Sequence, residues 1–192
     1  IVGLFLKDKS LEADLGRMLS EMLVTMTDRG PDSAGIAVYN AHQSGQAKIT
    51  VQADHPQTGF DRLEKKLGTA IGANVKMDVR DTHAVLTVPQ ASLNSTMAEL
   101  RQLDPLIRIM GHGESIEIYK EVGLPETVVS RFDIVKMTGT HGIGHTRMAT
   151  ESAVTTMGAH PFNTGSDQCL VHNGSLSNHN SLRRKLRREN IR

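Results

Sequence analysis

Tryptophan is absent, and aromatic residues make up only 3% of the 192 residues. A surface that binds single-stranded nucleic acid by stacking bases needs such rings, so that class is disfavoured. Cysteine occurs once, at Cys169, which excludes an internal disulfide framework and fits a reducing compartment. Neither sign of charge dominates: the net charge is +1, and no global field calls for a polyanionic partner. No apolar run approaches the ~18 residues of a membrane span. The apolar start at residues 1–6 is short and runs into Lys7-Asp8-Lys9. It is expected to be a buried strand, and the protein is expected in the cytoplasm with no membrane or nucleic-acid partner.

What is present suits a globular protein with a real core, since hydrophobic residues reach 38% and charged residues 22%. After the first strand, Ser10 is expected to cap a helix. Leu11, Leu15, Met18, Leu19, Met22 and Met26 recur at three- and four-residue spacing and form one apolar stripe, which reads as core. Asp28-Arg29-Gly30-Pro31 should stop that helix, and residues 34–39 read as a second strand.

From about residue 41 the character changes. Strands are expected at 48–51, 84–88, 106–110 and 115–119, and helices at 60–67, 92–100 and 125–132, with Pro125 at a tolerated first position. This order suggests a small α+β layer of its own, an inserted subdomain over about 41–138. Strands return at 141–148 and 168–172, and a final helix begins near Ser181. That helix carries Arg183, Arg184, Lys185, Arg187, Arg188 and Arg192, with Leu182 and Leu186 on one face. A solvated face is the simplest reading of those charges, with an electrostatic docking role as the rival.

Three segments carry the chemistry: Arg29-Gly30-Pro31-Asp32-Ser33-Ala34-Gly35, His145-Thr146-Arg147-Met148-Ala149-Thr150-Glu151-Ser152, and Val171-His172-Asn173-Gly174-Ser175. An asparagine amide and a following backbone N–H can converge on one oxyanion, although Asn-Gly is also a favoured hairpin turn. An arginine at the end of an apolar strand suits a carboxylate, because its planar fork reaches both oxygens; the plainer alternative is a surface ion pair. The first segment reads as architecture, with Pro31 setting a turn, Asp32 bonding nearby backbone and Gly35 allowing close approach. Cys169 lies within a strand and reads as a packed thiol, with a mid-chain pairing to His172 as the rival enzyme reading. His141, His145, His160 and His172 cluster in the last third, but no Cys or carboxylate ligand pattern accompanies them, so no metal is expected. Gly111-His112-Gly113 is too short for a phosphate-binding fingerprint.

Together and in this order, the three segments resemble the class II, N-terminal-nucleophile glutamine amidotransferases. The opening Ile-Val-Gly resembles the residues just after the Cys-Gly start of that family, so the nucleophile is expected two residues before Ile1. The long middle makes the chain look most like the stand-alone amidotransferase subunits of glutamate-synthase-like enzymes such as N-methylglutamate synthase. The resemblance implies an α+β fold, the four-layer α/β/β/α sandwich of N-terminal-nucleophile hydrolases. It implies Asn173 and Gly174 as the catalytic oxyanion hole, and Arg147 and Thr150 as glutamine-binding residues. His160-Pro161-Phe162 matches a segment near the site and reads as structural. In the family, an acidic residue beyond the Asn-Gly segment binds the glutamine amine.

The implied reaction is hydrolysis of L-glutamine to glutamate through a cysteine thioester, with ammonia delivered to a synthase partner in a hetero-oligomer. No cofactor is expected in this chain, and FMN and iron–sulfur clusters are expected in the partner, because Cys169 alone cannot hold a cluster. The inserted subdomain, lying between the motif segments, is expected to dock that partner. The alternatives are a non-catalytic glutamine-sensing or scaffolding subunit of the same complex, a histidine-based metal hydrolase, and a nucleic-acid-binding module using the basic last helix.

Overall fold

The computed structural model describes residues 1–41, 43–103, 106–149, 153–174 and 177–191. Strand β1 (Val2–Phe5) leads through a 3-10 turn into helix α1 (Leu15–Thr25), followed by β2 (Ser33–Tyr39) and β3 (Gln46–Gln52). Two helices, α2 (Pro56–Gly59) and α3 (Leu63–Ile71), precede β4 (Lys76–Arg80) and β5 (His83–Pro89). Next come α4 (Leu93–Leu103), β6 (Arg108–Gly113), β7 (Ile116–Val122) and α5 (Pro125–Arg131). The last third holds β8 (His141–Arg147), β9 (Phe162–Gly165), β10 (Gln168–Leu170) and α6 (His179–Arg188).

The result is α+β with antiparallel sheets. The first sheet has the order β1-β8-β2-β7, the second β4-β5-β3-β6, and β9 and β10 form a two-stranded ribbon. Leu15, Leu19 and Leu23 bury one face of α1 against Ile36, Val38, Tyr119 and Phe132. Each such leucine contributes about 1.5–3 kcal/mol relative to exposure. The other face of the first sheet meets the second sheet and the ribbon through Ala37, Ile118, Ile143, Met110 and Cys169. The second sheet has its own core, in which Ile49, Val51 and Leu86 lie against Leu67 of α3 and Leu100 of α4.

Several local expectations are corrected. Ser10 does not cap α1. The Asp8 carboxylate accepts both the Ser10 backbone N–H at 2.9 Å and its hydroxyl at 2.8 Å, so a 3-10 turn at Lys9–Asp14 comes first and α1 starts at Leu15. The helix expected at 60–67 starts later, as α3 at Leu63, because Arg62 adopts a left-handed conformation with φ of 53°, and the short α2 before it was not expected. β4 was not expected: it is an edge strand with mostly exposed side chains, so no apolar pattern marks it. Gly111-His112-Gly113 lies within β6, in extended pairing with β3.

Two polar links hold the sheets together. Lys48 of β3 forms an ion pair with Glu117 of β7 at 2.9 Å, and Asn40 and Tyr119 donate to the same carboxylate at 2.6 and 2.8 Å. Asp167, in the turn between β9 and β10, accepts hydrogen bonds from the backbone of Glu114, Ser115 and Ile116 at 2.7, 2.8 and 2.9 Å. That carboxylate fastens the ribbon to the turn between β6 and β7. α6 buries no residue, and its basic side chains are solvated.

Candidate active site

The site is built around the end of β8, which runs between β1 and β2. Its register places Val2 opposite Gly144 and Ser33 opposite Arg147. Side chains alternate across a strand, so His141, Ile143, His145 and Arg147 share the face turned towards the ribbon.

The first motif shapes this strand end. Asp32 N–H donates to the Arg147 carbonyl at 3.1 Å, and the Asp32 carboxylate accepts the Ala149 N–H at 2.7 Å. Pro31 bridges to Arg147. Gly30 passes so close that a Cβ there would lie 2.6 Å from the Arg147 nitrogen. Further along, a Cβ at Gly35 would lie 2.3 Å from the His160 carbonyl oxygen. The two glycines therefore let the segment around His160 and the end of β8 approach the sheet.

His145 is buried, and its ring stacks on His160 with centroids 4.4 Å apart. Burial lowers the His145 pKa to about 4, with the positive charge of Arg147 acting in the same direction. The His172 backbone also lies against that ring and acts the other way. His160 is likewise lowered to about 4, first by burial and then by His145, Lys120, Arg147 and His172. One neutral imidazole pair thus joins the end of β8 to the segment at 160–162 and to the backbone at His172, just before Asn173. Phe162 meets His160 edge-on at 4.4 Å.

Arg147 stands at the end of β8, half-buried, with its guanidinium beside Gly158. Asn173 and Gly174 are exposed and follow β10. The tight hairpin of this region is instead β9–β10, which turns at Asp167. Gly174 has a φ of +151°, a conformation that side chains disfavour. Its Cα faces the His172 ring, since a Cβ there would lie 3.2 Å from His172 Cε1. Thr150 lies outside the described residues.

The rival groups go elsewhere. Cys169 packs in an apolar cluster with Tyr39 Oη 3.6 Å from its sulfur, and burial pushes its thiol pKa up, which disfavours the nucleophilic thiolate. His141 stacks flat on Tyr39 at 4.0 Å, away from the His145–His160 pair. Among the described residues, no group of three or more His, Cys, Asp or Glu side chains is arranged to hold a metal ion. Sequence reasoning missed Lys120, whose amine is buried beside Phe162. Its only signal was a lysine inside a strand that is otherwise buried.

This chain is similar to glutamine amidotransferases. It is 62% identical over 191 residues to the glutamine amidotransferase-like protein GlxB of Rhizobium meliloti, covering 100% of this chain and 63% of that protein. It is 30% identical over 200 residues to a putative glutamine amidotransferase of Methanothermobacter thermautotrophicus, covering 98% of this chain and 65% of the relative. A shorter stretch of 89 residues, 46% of the chain, is 33% identical to glutamine–fructose-6-phosphate aminotransferase of Thermococcus kodakarensis and covers 15% of it. The chain therefore spans just under two thirds of the length of the first two relatives. No protein-family model matches it. These similarities support a glutamine amidotransferase family and agree with the mixed α+β architecture. Among the described residues, no helix is long and apolar enough to cross a membrane.

Proposed function

We propose that this chain is the glutaminase part of a class II amidotransferase, hydrolysing L-glutamine to glutamate and releasing ammonia to a partner. The observation that carries the reading is the antiparallel register of β1 and β8. Val2 pairs with Gly144, so a residue two positions ahead of Ile1 comes level with Arg147 if that pairing continues. A cysteine at that point has its thiol and its α-amine beside the arginine that resembles the family's carboxylate grip.

The chemistry follows from those groups. The α-amine, with a pKa of about 8, accepts the thiol proton near working pH. The thiolate attacks the amide carbon, and the oxyanion is held by Asn173 Nδ2 and the Gly174 N–H. Removal of one such donor lowers the rate by about 10²–10³. The tetrahedral intermediate expels ammonia and leaves a thioester, which water cleaves to glutamate and the free thiol. Arg147 and Thr150 hold the α-carboxylate end of glutamine. Neutral His145 and His160 form an uncharged floor that does not compete for that carboxylate.

The finer reading extends the same proposal. The fold is the four-layer sandwich of N-terminal-nucleophile hydrolases, supported by α1 and α5 on one face of the first sheet and strands on the other. The second sheet, with its separate core, lies within an insertion at about 41–138 that docks the partner, although β7 and α5, inside the same bounds, join the first sheet and its core. That partner is a glutamate-synthase-like subunit carrying FMN and iron–sulfur clusters, in a cytoplasmic hetero-oligomer serving N-methylglutamate synthesis or a related reaction.

Intact-mass spectrometry of the full-length native protein, with and without a glutamine-analogue diazoketone, tests the reading. A single adduct on a cysteine two residues before Ile1, together with glutamine hydrolysis, supports it. Absence of both overturns it in favour of a glutamine-sensing or scaffolding subunit.

A further inference from the structure

Lys120 lies on β7, the edge strand of the first sheet, directly across from Gly35. It is 3% exposed. Its amine donates to the Ala159 carbonyl at 2.8 Å, reaches towards the Met157 carbonyl at 3.5 Å, and sits 4.7 Å from the centroid of Phe162. Among the described residues, no carboxylate comes within ion-pair distance of it. A buried ammonium without a counter-charge is costly, and burial lowers its pKa to about 8. An apolar side chain of the same length avoids that cost, so packing alone does not account for a lysine here.

The two carbonyls that Lys120 faces flank Gly158. A Cβ at Gly158 would come within 3.6 Å of Arg147 Nη1, so this backbone forms a wall of the guanidinium's compartment. The neighbouring Glu121 holds the same segment from the opposite face of β7, accepting the Thr156 hydroxyl. Two consecutive residues of one edge strand thus clasp the segment at 156–159, and that segment backs the arginine. The absent side chain at Gly35 lets the next residue, His160, press onto the sheet in the same place.

We propose that Lys120 is a positioning residue for substrate carboxylate recognition: it fixes the wall behind Arg147 and adds positive charge behind the grip. The proposal rests on the glutaminase reading above. Lys120 touches neither the amide nor the nucleophile, so its loss weakens binding of the ground state and the transition state alike. That pattern raises KM and leaves kcat nearly unchanged.

The test uses the full-length native protein and compares wild type with Lys120→Met and Lys120→Arg. Lys120→Met is expected to raise KM for glutamine about tenfold, to change kcat by less than about twofold, and to weaken binding of L-glutamate in calorimetry by the same factor. Its melting temperature is expected to stay level or rise, because a buried charge is removed. Lys120→Arg is expected to recover most of the affinity. An active wild type with an unchanged KM in Lys120→Met overturns this proposal and leaves the glutaminase reading standing. A fall in kcat and KM performance that tracks a fall in melting temperature also overturns it, as a merely structural role. A wild type that neither binds nor hydrolyses glutamine removes both. Should Lys120→Met fail to fold, Thr156→Val frees the same segment from Glu121 and must show the same KM-selective loss; an unchanged KM there overturns the proposal.

Discussion

The imidazole of His145 lies on that of His160 with planes inclined by 28° and centroids 4.4 Å apart. Both pKa values stand at about 4, against about 6.5 in an unfolded chain. Between those limits the unfolded state binds more protons, so stability is fully present above pH 6.5 and declines as the pH falls towards 4. His83, buried edge-on against Phe132 and lowered to about 3 mainly by burial, extends the decline. His160→Phe keeps a stacking ring but removes one titrating group, so it should reduce proton uptake on unfolding near pH 5 by about one proton. Denaturation free energies at pH 4–7.5 give that number from their slope. Equal slopes for wild type and variant would refute the assignment.

Cys169 should be dispensable for chemistry. Its sulfur is packed beside Tyr39, and its raised pKa keeps it a thiol at neutral pH. Cys169→Ala is expected to lose roughly 1–2 kcal/mol of stability through the space left behind, with glutamine turnover and diazoketone labelling retained. Loss of labelling in a folded Cys169→Ala protein would restore the mid-chain nucleophile reading.

The first half of the site is legible in the sequence because it depends on local pattern. Leu15 and Leu19 belong to the expected helical stripe and are buried, together with Leu23, which that stripe did not include, while Leu11 is exposed; the apolar run at 34–39 matches a strand covered on both sides. The end of β7 is opaque for the opposite reason. Glu117, Lys120 and Glu121 are charged residues on both faces of the strand, which usually signals exposure, yet all three are buried. Their partners Lys48, Thr156 and Ala159 come from segments tens of residues away in either direction, and no local periodicity encodes such pairing. The edge strand β4 escapes a sequence reading because an edge with solvated side chains leaves no hydrophobic signature. Asp32 reads as a backbone-bonding residue, and its partner proves to be Ala149, beside the arginine of the second motif.

Gly35→Ala should be among the most damaging small substitutions in the first sheet. The added methyl would lie 2.3 Å from the His160 carbonyl oxygen, 2.4 Å from Lys120 Cβ and 2.8 Å from the Tyr119 carbonyl oxygen. Backbone and Cβ atoms cannot swing aside as a side-chain tip can, so a loss of ~3 kcal/mol is expected, at the upper end for overpacking. Gly3→Ala, with nothing within 4 Å of the new methyl, is the control and should be near neutral. Urea denaturation of the two variants decides the matter, and comparable stabilities would show that the close approach at Gly35 does not constrain the fold.

Lys48 and Glu117 join the two sheets, and their removal should be strongly non-additive. Burial alone would raise the Glu117 pKa, but the Lys48 charge and the hydrogen bonds from Asn40 and Tyr119 outweigh it and hold the carboxyl below its usual value. Glu117→Gln leaves the half-buried Lys48 without its counter-charge and should cost ~2–3 kcal/mol, below the range for a fully buried pair. Lys48→Met leaves a carboxylate that still accepts from Asn40 and Tyr119, so its cost should be smaller. The double variant removes both charges at once and should be less destabilised than the sum of the singles by at least about 1 kcal/mol. Because Glu117 is lowered, its stabilising contribution is fully present above the ordinary carboxylate range and is lost as the pH falls from there through the lowered folded-state value, so the coupling should begin to shrink on acidification. A double-mutant cycle at pH 7 and again at pH 4 measures both effects. Additive costs at pH 7 would show that packing, rather than this ion pair, joins the second sheet to the first.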